Sequence, residues 1–361
     1  MSGRQPYWQL ELHNRYGSVV RIPPNELSFN TSSSWRDIYG VRKNVEPFII
    51  SVFYVGGNFA AEALSIVSER DPKKHAEMRK YLASAFSDRT LKSQEPLIAE
   101  TADKLVEKLS QAGQRSRDFG GVESGTRHFW VSIVTKSLRL GALADCFRRF
   151  PALSIIIQTI FSGTINKPME ENRKHQKYTA DLVQRRLASR SGRMDFLTKI
   201  IEARAEANMP DAQIAAHSSK FVIAGSETTA TTLSCVTYYL LKNPDDVPST
   251  GRASAAQLVY LKAVAQEAMR MYSPLPFALP RAVPRGSSTV DGHFVPEGTI
   301  ISTSPFAASM SSSNFSNPSE FNPDRWLGPS KTDDLEASQP FSLGSRSCMP
   351  SLMVKALPRK E

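Results

Sequence analysis

The residues best suited to chemistry lie in Phe341-Ser342-Leu343-Gly344-Ser345-Arg346-Ser347-Cys348. A thiol beside positive charge and backbone N–H groups has a lowered pKa and can ligate a metal. Arg346 supplies that charge and a forked set of donors for a carboxylate. Gly344 permits a left-handed turn or the close approach of a flat ligand. The competing reading is a packing cysteine in a turn, which is what an isolated cysteine usually is. Cys146 and Cys235 lack such a loop and sit in apolar helical contexts, so packing is the expectation for both.

A second stretch is Ala224-Gly225-Ser226-Glu227-Thr228-Thr229, inside a long helical segment. Glycine in a helix interior costs about 1 kcal/mol relative to alanine, so its presence suggests close approach to another group and an interrupted hydrogen-bond ladder. Threonine hydroxyls donate and accept, and can hold water or relay protons. A plain polar stripe facing solvent is the alternative. The third stretch is Glu267-Ala268-Met269-Arg270, an acid and a base at i and i+3 on one helix face. Such a pair is usually solvated and worth little. Here Arg325, in Phe321-Asn322-Pro323-Asp324-Arg325-Trp326, follows in proline-rich coil, and a Glu between two Arg residues could tie that coil to the helix.

In this order, the stretches resemble the cytochrome P450 family of haem-thiolate monooxygenases. The family pattern has an Ala/Gly-Gly-x-Asp/Glu-Thr-Thr helix, a Glu-x-x-Arg helix, a later Arg beside an aromatic, and a Phe-x-x-Gly-x-Arg-x-Cys loop. The resemblance covers most of the chain. From Tyr16-Gly17 to Pro24-Asn25-Glu26-Leu27-Ser28-Phe29 it is similar to the N-terminal strand region of fungal secondary-metabolism members. It implies haem b as cofactor, with Cys348 as axial thiolate ligand to iron in the loop that Phe341 opens. It also implies Thr228 with Glu227 on the oxygen side, and Glu267, Arg270 and Arg325 as a structural triad. Arg346, Arg281 and the His75-x-x-x-Arg79 pair are implied to face the haem propionates. The activity implied is oxidation, typically hydroxylation, of a lipophilic small molecule with O2 and electrons from an NADPH-dependent reductase. The family's location is the cytosolic face of the endoplasmic reticulum membrane.

The chain departs from the family pattern at several places. Pro350 stands where a glycine is expected, and proline has no N–H to offer the sulfur. Only 13 residues follow Cys348, so the expected fold is mainly α with a small β region, P450-like and incomplete at the C-terminus. Helix pairs expected between Lys108 and Val122, and between Pro244 and Leu258, are replaced by short polar stretches. No N-terminal membrane anchor is expected, which makes the cytoplasm the alternative location, with peripheral membrane contact compatible with either. The whole chain, 1–361, reads as a single domain. Two function classes follow: a monooxygenase, and a truncated paralogue or haem-binding remnant without activity.

Composition is consistent with a folded enzyme. Of 361 residues 40% are hydrophobic, and the formal charge is +10. The excess of Lys and Arg is scattered, which argues against nucleic acid as a partner. Three widely separated cysteines, none in a Cys-x-x-Cys pair, argue against a disulfide framework or a zinc site and point to a reducing compartment. No apolar run reaches the ~18 residues of a membrane span.

The elements that must position these residues are legible in outline. Residues 15–22 alternate like a strand, and 70–113 have helical apolar spacing at Met78, Leu82, Ala85, Phe86, Leu97, Leu105 and Leu109. Residues 111–125 read as a loop, and 128–205 as helix broken at Pro151 and Pro168. The longest helix is expected over 210–242, crossing the centre of the domain, with prolines at both ends. A linker over 245–256, a helix over 257–272 and strands within 289–301 complete the pattern.

Overall fold

A computed structural model describes residues 4–42, 45–52, 63–114, 162–188, 196–207, 209–243, 255–329 and 332–349. Its helices are α1 (Gln5–Tyr16), α2 (Ser32–Tyr39), α3 (Pro72–Ala83), α4 (Asp88–Gln114), α5 (Ser162–Ala188), α6 (Phe196–Ala207), α7 (Asp211–Lys242), α8 (Ala255–Met271) and α9 (Pro305–Met310). Its strands are β1 (Val19–Arg21), β2 (Glu26–Phe29), β3 (Ile49–Ile50), β4 (Arg281–Ala282), β5 (Ser288–Val290), β6 (His293–Val295) and β7 (Ile300–Thr303). The described residues fall into two compact units. One is drawn from Met1–Ser51 and Ala224–Ser351, the other from Val52–Ile223.

The first unit contains a five-stranded sheet of order β1-β2-β7-β4-β3 and a separate β5-β6 hairpin. Only β2 and β7 run parallel, with Ser28 opposite Ser302 and Phe29 opposite Thr303. Helix α1 ends at Gly17, whose φ of +96° suits glycine and whose N–H closes on the His13 carbonyl at 2.9 Å. The face it buries is partly polar. Ser304 Oγ donates to Gln9 Oε1, and His13 Nε2 lies 2.9 Å from Ser28 Oγ. Burial lowers the His13 pKa, and a hydrogen bond to the Gly17 carbonyl partly opposes this. Helix α2 starts at Thr31, whose side chain accepts the Ser34 N–H. Its Trp35, Ile38 and Tyr39 enter a core with Phe29, Phe48, Val283, Val290, Val295 and Ile301.

The second unit is helical. Asp71 accepts the N–H groups of Lys73 and Lys74 at the start of α3, and these bonds lower its pKa. Helix α3 buries His75, Met78 and Leu82, and packs against α6. Ile66, Val183, Ile200, Met209 and Ile214 complete the apolar interior.

The structure corrects several sequence expectations. Residues 15–22 are not one strand: Arg15 and Tyr16 close α1, and the strand is Val19–Arg21. Alternation cannot distinguish a helix end followed by a short strand from a longer strand. Helix α5 runs through Pro168 without a break. A proline removes one ladder bond, and 27 residues of helix retain the rest. The loop expected over 111–125 does not begin at 111, since α4 runs to Gln114; residues 115–125, Pro151, 245–254, the segment after Met349 and Cys146 lie outside the described residues.

Candidate active site

The Cys348 loop is built on α2. The turn Gly344–Arg346 packs against this helix, and Trp35 Nε1–H donates to the Ala337 carbonyl at 3.0 Å, fixing the approach to it. Gly344 has φ +70°, and a Cβ there would overlap the Tyr39 carbonyl oxygen. Conformation and space therefore both require glycine. Cys348 N–H donates to the Phe341 carbonyl at 2.9 Å, closing the loop, and the cysteine is exposed while Met349 beside it is buried. Phe341 and Arg346 are half-buried. Cys235 is a half-buried residue of α7, and burial raises its thiol pKa.

Arg281 lies at the β4 strand, 5% exposed, with Nη1–H donating to the Leu279 and Pro280 carbonyls at 3.2 and 3.3 Å. Its guanidinium lies 5.0 Å from the centroid of the Tyr39 ring. His75 and Arg79 are one turn apart on α3, the histidine buried and the arginine half-buried. They belong to the second unit.

Helix α7 starts one residue after Pro210, whose carbonyl takes the Gln213 and Ile214 N–H groups. Its ladder is continuous through Gly225, so the expected interruption is absent. The threonines bond back along the helix without opening it: Thr228 Oγ1 donates to the Ala224 carbonyl at 2.6 Å, and Thr232 Oγ1 to the Thr228 carbonyl at 2.9 Å. Ala224, Gly225, Ser226 and Thr228 are exposed, Glu227 is half-buried, and no heavy atom lies within 4 Å of a Cβ placed on Gly225. The helix is buried only near its start, at Ile214–His217 and Ser219. Leu233, Tyr238 and Leu241, further along, are 55%, 56% and 79% exposed. Tyr239, near the end of the helix, stacks on Phe321 with ring centroids 4.7 Å apart.

The structure brings Glu267, Arg270 and Arg325 together away from water. Arg270 donates from Nε to Glu267 Oε2 and from Nη2 to Oε1, both at 2.8 Å, a bidentate fork with both side chains 0% exposed. Arg325 Nε–H adds a bond to Oε1 at 3.0 Å, and Trp326 Nε1–H one to Oε2 at 2.9 Å. Burial pushes the Glu267 carboxyl up, but Arg270 and the donors from Trp326 and Asn322 outweigh it, leaving the pKa low. Asp333, which sequence reasoning missed, takes Arg325 Nη1–H at 2.6 Å and the Ser316 N–H at 2.7 Å. An aspartate in polar coil carries no local mark of this role.

A porphyrin brings four ligand nitrogens of its own and needs one axial donor from the protein. An exposed thiol closing a glycine-dependent turn fits that requirement, as do small residues and threonine hydroxyls on an open helix face.

The profile of the cytochrome P450 family matches residues 140–247 and 250–349. The chain is 49% identical to cytochrome P450 monooxygenase ORF11 of Penicillium roqueforti over 97% of its own length and 80% of that protein's. It is 36% identical to cytochrome P450 monooxygenase BipB of Cochliobolus sativus over 96% and 76%. Both alignments span 389 positions, more than this chain's 361 residues, so each relative has internal residues that the chain lacks. The crystal structure of CalO2 superposes with a TM-score of 0.66 at 20% identity, over 98% of this chain and 85% of that one, a likeness of fold alone. The motifs, the fold and these relatives together make the chain a member of the cytochrome P450 family.

Proposed function

We propose that this chain is a haem-thiolate monooxygenase that oxidises a lipophilic small molecule, a step of fungal secondary metabolism. The observation that carries the reading is the exposed Cys348 thiol at the end of a turn whose glycine is fixed by the Tyr39 carbonyl. When bound, haem supplies the family's oxygen-activating chemistry. Cys348 would hold its iron as thiolate, with Arg346 two residues away to stabilise the negative charge. By the resemblance, Arg346, Arg281, His75 and Arg79 would face the propionates.

Thr228 already commits its proton to the Ala224 carbonyl, so its oxygen lone pairs are free to accept from a water and hold it for proton delivery. Glu227 places a carboxylate next to it. Electrons would come from an NADPH-dependent reductase. None of the described helices is long and apolar enough to cross a membrane. The location proposed is the cytosolic face of the endoplasmic reticulum membrane, and it rests on the family resemblance alone.

A second reading, a haem-binding remnant without turnover, is favoured by the internal residues that relatives have and this chain lacks. Reconstitution with haemin, a P450 reductase and NADPH separates the two. Substrate-dependent NADPH oxidation that yields hydroxylated product supports the enzyme. Haem binding without turnover supports the remnant.

A further inference from the structure

We propose that Tyr39 is a positioning residue of the haem site, holding Arg281 and the Gly344–Cys348 loop in one register. The proposal rests on the reading above, in which Cys348 ligates iron and Arg281 meets a propionate. Tyr39 is the last residue of α2, and each of its parts engages a different piece of the site. Its hydroxyl donates to the Leu279 carbonyl at 2.9 Å and accepts the Thr303 N–H at 3.1 Å. It thus joins β7 to the strand that carries Arg281. Its ring lies under the Arg281 guanidinium, 5.0 Å away. Its carbonyl oxygen occupies the space that any side chain at 344 would need.

The same Leu279 carbonyl that receives the tyrosine proton also receives one from Arg281 Nη1. The phenol and the guanidinium therefore share an acceptor as well as a stacking contact. Leu279 and Leu343, on the two site segments, both pack on the core that contains Tyr39. A propionate partner and an axial ligand must keep a fixed separation to grip one rigid porphyrin, and a misplacement of about 1 Å is enough to matter. Both segments refer to Tyr39, the Arg281 segment through its side chain and the loop through its backbone carbonyl.

The test is a double-mutant cycle on the full 361-residue chain, read by titration of apoprotein with haemin. Tyr39→Phe removes the hydroxyl and keeps the ring. It should weaken haemin binding about tenfold, the equivalent of one lost net hydrogen bond near the top of the usual range. In an Arg281→Gln background the same change should cost less than threefold, because its effect passes through Arg281. Additive losses would overturn the proposal, as would unchanged affinity in Tyr39→Phe.

Gly344→Ala tests the other side without touching the tyrosine side chain, and applies equally if Tyr39→Phe does not fold. It should convert the ferrous carbon-monoxide band from thiolate type to a form without thiolate. A normal band would count against Tyr39 as the reference point. Cys348→Ala is the control on the underlying reading: if that variant keeps a thiolate-type band, the haem assignment itself fails. If it loses the band while the cycle is additive, only the role of Tyr39 fails.

Discussion

At the scale of single residues, buried charge decides the outcome. Arg270 donates to both oxygens of Glu267 in a site closed to water, so removing it takes the bidentate partner from a buried carboxylate and leaves it only the single bonds from Arg325, Trp326 and Asn322. Breaking such a pair typically costs ~3–5 kcal/mol. Arg270→Ala should therefore lose soluble folded protein before any question of activity arises, measurable as a lower urea midpoint. An unchanged midpoint would make this a surface pair in effect. His217 provides a pH test. It is fully buried, Nδ1 accepts the Ile66 N–H at 3.3 Å, and burial pushes its pKa down to about 4. In the unfolded chain the ring titrates near ~6.5, so between those values the native state binds fewer protons. Its stability contribution is present above the unfolded value and is lost as pH falls towards 4, by about 3 kcal/mol. His217→Phe should flatten that part of the stability–pH curve, and an unchanged slope would contradict the assignment. The Glu267–Arg270–Arg325 cluster was legible in the sequence because its residue types and order match the family pattern. Asp333 and Tyr39 were not. Their partners lie across the fold, as in Tyr39 with Leu279, 240 residues away, and nothing local marks them.

At the scale of elements, α7 holds the clearest conflict between sequence and neighbours. Its limits, Asp211–Lys242, follow the flanking prolines, yet it carries a glycine in its interior with open space beside it. In the apoprotein nothing described penalises a methyl group there, and helix propensity favours one. Gly225→Ala should raise the apoprotein melting temperature by about 2 °C, for ~0.5–1 kcal/mol gained. The same variant should bind haemin more weakly, since the added methyl intrudes on the face assigned to the cofactor. Lower apoprotein stability would mean that the glycine serves packing rather than the ligand. Among the helices not expected from the sequence were α1 and α2. The buried face of α1 is partly polar, Gln9 and His13, and that of α2 includes Ser34, so neither shows a simple apolar stripe. Their partners, Ser304, Ser28 and Thr303, are what make those faces buriable.

At the scale of the whole molecule, α2 and the charged cluster around Glu267 both brace the segment that ends in the Cys348 loop. Trp35 and Tyr39 hold the loop from one side. The Glu267 cluster fixes the coil that leads into it through Arg325 and Asp333. The central claim is that this construction exists to present one thiolate to a haem iron. The carbon-monoxide difference spectrum of the reduced, haem-loaded 361-residue chain, recorded beside Cys348→Ala and Cys235→Ala, tests it most directly. A thiolate-type band is expected in the parent and in Cys235→Ala, and none in Cys348→Ala. The same band in all three proteins, or its loss in Cys235→Ala alone, would contradict it.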